Sequence, residues 1–200
     1  MTALLSSTYF GPVQWYQKLN RYDDILLETH DHFIKQTYRN RCVIATPNGQ
    51  LSLSVPTKPG EGDTQISSHG NWRHVHWNAL KSAYGESPFF EYYADDLLPF
   101  FEKEWQSLYE YNLDICHTVC QLLDIEPQIT LTDHYITAEE AKENGIDDYR
   151  DVIRPKHPLP DADFSPRRYY QVYEQRHGFQ PNMSILDLLF NMGNESVLWL

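Results

Sequence analysis

His32-Phe-Ile-Lys-Gln-Thr-Tyr-Arg-Asn-Arg-Cys42 is the run around which the rest of this chain has to be arranged. In a chain of formal net charge -12 it gathers Lys35, Arg39 and Arg41 with no acid between them. β-Branched and aromatic residues are frequent in it, which predicts a strand. Alternation along that strand puts Phe33, Lys35, Thr37, Arg39 and Arg41 on one face and Ile34, Gln36, Tyr38, Asn40 and Cys42 on the other. One face becomes a cationic ladder. Two arginines and a lysine with aromatic neighbours suit a phosphate or a carboxylate. Solvation, or pairing with the chain's many acids, is the competing explanation.

Working outward, 42–45 and 51–55 flank Thr46-Pro47-Asn48-Gly49-Gln50, and Asn-Gly between two apolar runs is a strong hairpin signal. The ladder is therefore expected to enter an antiparallel hairpin. Upstream, 4–10 and 24–30 read as strands around a helix over 13–22 that Pro12 opens. Downstream, 56–70 is rich in Pro, Gly and Ser/Thr and reads mostly as a surface loop, placed to cover a site. Helical spacing returns over 72–84 and again over 89–123, with a break near Pro99. A stripe of Phe101, Trp105, Leu108, Asn112, Ile115, Val119 and Leu122 runs along the second of these. Asn112 is its one polar member: either a structural hydrogen bond to a loop backbone or a ligand contact. A short strand over 129–131, a helix over 138–144 and a terminal helix from Ser184 complete the order. Residues 147–168 carry four prolines and many charges; a lid or a tethered excursion fits them equally.

Two hundred residues suffice for one core, and 41% hydrophobic content makes the chain globular. Acidity disfavours nucleic acid as a partner. No apolar run approaches the length of a membrane span, and 1–10 lacks the basic and apolar regions of a secretory signal. Three cysteines with no Cys-x-x-Cys pair predict reduced thiols and a cytoplasmic protein. Cys116 and Cys120 read as small core hydrophobes. Glu28, His30 and His32 alternate at a spacing compatible with metal ligands, but the spacing is loose and no metal is assigned. Ser184 and Asp187 form a capping box with Gly193 as terminator, while Asn191 stays open as a ligand contact. Arg150, Arg154, Lys156 and His157 make a second basic cluster, explained otherwise by charge balance with Asp147, Asp148 and Asp151. Neither a P-loop nor Gly-x-Gly-x-x-Gly occurs, so no cofactor is named.

Three blocks resemble the WbqC-like family, in particular a short form common in the Bacteroidetes. They are Tyr9-Phe-Gly-Pro12 with Trp15-Tyr16, Lys35-Gln-Thr-Tyr-Arg-Asn-Arg-Cys42, and Gly178 through Gly193. The resemblance implies a role in surface-polysaccharide (O-antigen-type) assembly and a transferase acting on a sugar or nucleotide-sugar. It supplies no catalytic residue.

The expected fold is a single α/β domain of mixed type over 1–200: a small mixed or antiparallel sheet carrying the basic hairpin, packed by several helices. A parallel doubly wound sheet is the less favoured alternative. In the transferase reading His76 or His157 is the candidate general base. Tyr9, Lys35, Arg39, Asn40, Arg41, Asn112, Arg154, Lys156 and Asn191 are the candidate contacts to a small anionic substrate, and Tyr9, Arg39, Asn40, Arg41, His76 and Asn191 are expected to line a common concave pocket. The alternative is a non-catalytic binding or assembly protein that holds an acidic partner on the same basic face.

Overall fold

Apolar runs rather than alternating ones mark strands covered on both faces. Ala3, Leu4 and Leu5 in β1 (Thr2–Ser6) and Ile25 and Leu27 in β2 (Asp24–Glu28) are all buried. The computed structural model, which describes residues 1–59 and 64–200, joins these two strands through helix α1 (Val13–Arg21). A connection of this length suits a crossover rather than a tight hairpin, and β1 and β2 pair in parallel, Leu4 opposite Leu26. Two later strands, β7 (Ile129–Leu131) beside β2 and β8 (Ile146–Asp148) beside β1, complete a four-stranded sheet of order β7-β2-β1-β8, parallel throughout. The mixed α/β class holds, with a parallel sheet at its centre.

The hairpin stands apart as its own two-stranded sheet. β3 (Arg41–Thr46) pairs with β4 (Gly49–Ser54), and Gly49 takes a φ of 103° where the chain reverses. Only Arg41 and Cys42 of the expected basic strand belong to it. Over 32–40 the chain turns instead, with Gln36 at positive φ, the Thr37 hydroxyl donating to Ile34 O (3.0 Å) and Arg39 Nη1 donating to His32 O (3.1 Å). Such local bonds satisfy backbone groups that a strand ladder would otherwise use. The cationic ladder is therefore not a single face. The 56–70 stretch also departs from the loop expected of it, since β5 (Thr57–Pro59) and β6 (Thr64–Ile66) pair antiparallel; its residues 60–63 lie outside the described ones.

Helix α2 (Trp72–Tyr84) has the predicted bounds. The long helical stretch splits at Pro99 and again near Ser107 into α3 (Phe90–Leu97), α4 (Pro99–Glu102) and α5 (Leu108–Leu122). The Ser107 hydroxyl caps α5 by accepting from Glu110 N (3.0 Å). Aromatic rings fill the core between them: Phe10 stacks on Phe101 with centroids 6.0 Å apart, and Tyr9 on Tyr111 at 5.9 Å.

The first and last family blocks meet. Val13 N donates to Met183 O and Ile185 N to Gly11 O, while the Ser184 hydroxyl donates to Phe10 O. Gly11 is needed in this crossing because a Cβ there would lie 2.4 Å from Thr8 Oγ1. After two short helices, α6 (Ala138–Glu143) and α7 (Glu174–His177), Ser184 caps α8 (Ile185–Met192), its oxygen accepting from Leu186 N, but Asp187 does not complete a capping box. Its carboxylate instead accepts from Tyr84, Tyr169 and Gln171.

The proline-rich excursion is anchored to the core. Beyond β8, Tyr149 and Ile153 are buried, and Asp161 pairs with Lys18 of α1 at 2.8 Å with both side chains enclosed. Among the described residues no helix is long and apolar enough to cross a membrane, and all three cysteines are free and buried.

Candidate functional site

From β1 the chain runs through α1 to β2 on one side, and only after β7 does it cross back to place β8 on the other, so the strand order reverses between β1 and β8 at their carboxyl ends. That is where open parallel sheets leave a crevice for ligands. Here the apolar β1 gives way to Ser6, Ser7 and Thr8, and a cleft of about 530 Å³ opens between them, the loop after β2 and the loop after β8. Trp15, Tyr38, Tyr135 and Tyr149 give it an aromatic lining; Arg39, Arg150 and Arg154 give it cations.

Each arginine is held differently. Arg39 pairs with Asp31, donates to Ser6 Oγ (3.1 Å) and to His32 O, and its side chain is 12% exposed. Burial pulls its pKa down to about 10, with the neighbouring Arg150 and Arg154 charges acting in the same direction and Glu28 against it. Arg150 forks onto Asp148 (2.9 and 2.6 Å) and also donates to Glu28 Oε2 (3.0 Å) and Ile136 O (2.8 Å), which engages Nε, Nη1 and Nη2 and holds the guanidinium in place. Arg154 has one contact, to Asp151 (2.9 Å), in an exposed i,i+3 pair. Exposed pairs of that kind are worth about 0–1 kcal/mol. Arg154 is the cation most easily turned to a ligand.

The same bonds engage Glu28, whose alternation with His30 and His32 is compatible with metal ligands but is assigned no metal. Glu28 is buried, with Oε1 accepting from His30 N and Thr132 Oγ1 and Oε2 from Ile136 N and Arg150. Among the described residues no three His, Cys, Asp or Glu side chains are grouped to hold a metal ion.

The predicted site residues separate into two sets. Arg39 and Arg154 line the cleft, Lys35 lies just across Arg39, and Asn112 sits beneath. Asn112 Nδ2 donates to Ser7 Oγ (3.2 Å) and to Arg39 O (2.8 Å), which fixes the cleft's floor. Its structural role is the backbone hydrogen bond expected for a polar residue in an apolar seam. Lys156 Nζ donates to Gln36 Oε1 (2.8 Å), and neither residue lines the cleft. The other residues do not join them. Tyr9 is enclosed in the core with its hydroxyl 2.8 Å from His76 Nδ1, and burial holds His76 down to about 4. His76 is thus a neutral core residue away from the cleft, not a general base within it. His157, at positive φ, lines neither this cleft nor the one adjoining it. Asn40 Nδ2 donates to Val55 O, Arg41 Nε to Ser54 Oγ and Asn191 Nδ2 to Asp187 O, each completing local structure. The common pocket drawn from Tyr9, Arg39, Asn40, Arg41, His76 and Asn191 does not form, because most of these side chains complete bonds within the core or the hairpin.

Ser7, Asp31 and Arg150 take their places without having been singled out as site residues. The available signal was Ser6-Ser7-Thr8 closing an apolar strand, the pattern of a parallel strand's carboxyl end.

The WbqC-like family model matches residues 7–155 and 161–198. The chain belongs to the WbqC-like protein family. It is 24% identical over 218 residues to the uncharacterized protein Rv1507c of Mycobacterium tuberculosis, a match covering 97% of this chain and 94% of that one. No solved structure matches it.

Proposed function

We propose that this chain is a cytoplasmic transferase of the short family form, acting on an anionic sugar or nucleotide-sugar in surface-polysaccharide assembly. The observation that supports it is the meeting of Arg39, Arg150 and Arg154 with aromatic walls where the strand order reverses. Arg39 and Arg150 are fixed by their aspartates and set the local charge; Arg154 exchanges its exposed Asp151 contact for the ligand's phosphate or carboxylate. Aromatic faces suit the apolar face of a sugar ring. His30 and His32 lie in the same cleft and replace His76 and His157 as candidate bases, histidine being the side chain best suited to proton transfer near neutral pH.

A second reading is favoured by one observation: each arginine already has an aspartate partner, as a non-catalytic protein docking an acidic segment on this face would allow. A thermal-shift screen of sugar phosphates, uronates and nucleotide-sugars decides between them. A ligand at a hundred times its Kd stabilises the fold by about 2.7 kcal/mol, and Arg154→Ala should cut the shift by about half or more. If no compound shifts the melting temperature, the transferase reading fails and the docking reading replaces it.

A further inference from the structure

On the other side of Arg39 lies a second cleft of about 810 Å³, which shares Ser7, Asp31, His32 and Arg39 with the first as a common wall. Its cations differ in kind. Lys35 comes from the turn after β2 and Lys58 from β5; both are exposed, and neither has an ion-pair partner among the described residues. Of the acids on its lining among the described residues, Glu28 is tied to Arg150 and Asp31 to Arg39, which leaves Glu110 of α5 as the opposing charge among them.

We propose that this cleft is a second binding site, for a phosphorylated ligand held by Lys35 and Lys58, so that the protein takes two ligands on either side of Ser7, His32 and Arg39. An ammonium is a compact point charge with three donors, suited to a phosphate oxygen without the planar match that an arginine demands. Ser7 is placed to be read from both sides. Its oxygen accepts from Asn112 Nδ2, which leaves its hydrogen to donate outward, and the residue lines both clefts. Two sites meeting at a hydroxyl and a histidine are what transfer between two substrates requires, so the inference rests on the transferase reading of the first cleft while naming a site of its own.

The test uses the full chain and inorganic pyrophosphate as the probe, titrated by calorimetry. Lys35→Ala/Lys58→Ala should weaken binding tenfold or more, and Glu110→Gln should tighten it. Arg154→Ala should change it less than twofold. All four substituted side chains are exposed or partly exposed at the surface, and circular dichroism verifies that each variant folds. Absence of pyrophosphate binding to the unaltered chain, or a loss that follows Arg154→Ala while the lysine variant binds normally, overturns the second site. Neither result touches the first-cleft reading, whose failure shows separately as the absence of an Arg154-dependent shift with sugar ligands.

Discussion

The cleft at the carboxyl edge of the sheet and the cluster beneath α8 are both built from polar side chains, and only one of them faces solvent. Under α8, Asp187 is enclosed; burial raises its pKa while Tyr169, Tyr84 and Gln171 pull it back, and Asn191 returns its amide to Asp187 O. Beside it in the core, Tyr9 and His76 bond each other. At the carboxyl edge, Asn112 binds Ser7 and the Arg39 carbonyl from below and leaves the upper side of Ser7, and Arg154, facing the cleft. A polar residue in a family block can thus serve the fold or the site. What separates the two is hydrogen-bonding capacity left over at the surface.

The largest effect should come from breaking the enclosed cluster. Asp187→Ala removes the acceptor of two buried hydroxyls, Tyr84 and Tyr169, each costing about 1–3 kcal/mol, while Gln171 Nε2 keeps its bond to Gln180 O, so unfolding by urea should show a loss of about 4 kcal/mol. Binding at the sheet edge should survive in the protein that remains folded. A loss below 1 kcal/mol would mean that the cluster is not a structural unit.

Acid comes next. Burial holds His76 at about 4 against an ordinary 6.5, so between those values the unfolded chain binds a proton that the folded chain refuses. Stability should be complete above about pH 6.5 and decline as the pH falls toward 4, by about 3 kcal/mol in all. His76→Gln should flatten that part of the curve; an unchanged slope would place the acid sensitivity elsewhere.

Asn112→Ala sharpens the contrast from the cleft's side. It removes two hydrogen bonds at about 1 kcal/mol each, and because Ser7 and the Arg39 carbonyl lose their anchor, ligand affinity should fall as well. In the Asp187 variant the two readouts are expected to separate; in this one they should move together. An Asn112 variant that loses stability and keeps affinity would assign Asn112 to the enclosed class.

Much of this contrast was legible in the chain and part was not. The βαβ start, the Asn-Gly hairpin, the bounds of α2 and the Ser184 cap all follow from local chemistry, since period, turn residues and caps act over a few positions. Residues 32–40 misled because their β-branched and aromatic composition fits a strand, whereas Thr37 and Arg39 close turns with Ile34 and His32 through side chains. The third residue of the capping signal failed for a related reason: Asp187 has partners 103 and 18 residues away, Tyr84 and Tyr169, that no local window contains. The site was half legible. Arg39 and Arg154 stand out as basic residues in an acidic chain, while the meeting of their loops depends on β8 pairing with β1 across more than 140 positions.

The smallest effect on stability and the most direct test of the account belong to one residue. Arg154→Ala removes a partly exposed cation whose one ion-pair partner among the described residues, Asp151, is exposed, and should cost less than about 0.5 kcal/mol of stability. Arg39→Ala would be a poorer choice, because it strands Asp31. Calorimetric titration of the screen's best sugar ligand into the unaltered chain and into Arg154→Ala is the decisive measurement: Kd should rise tenfold or more, as loss of a charge-assisted contact worth about 1.5–3 kcal/mol demands. Equal affinity in the two proteins would contradict the placement of the site at the carboxyl edge.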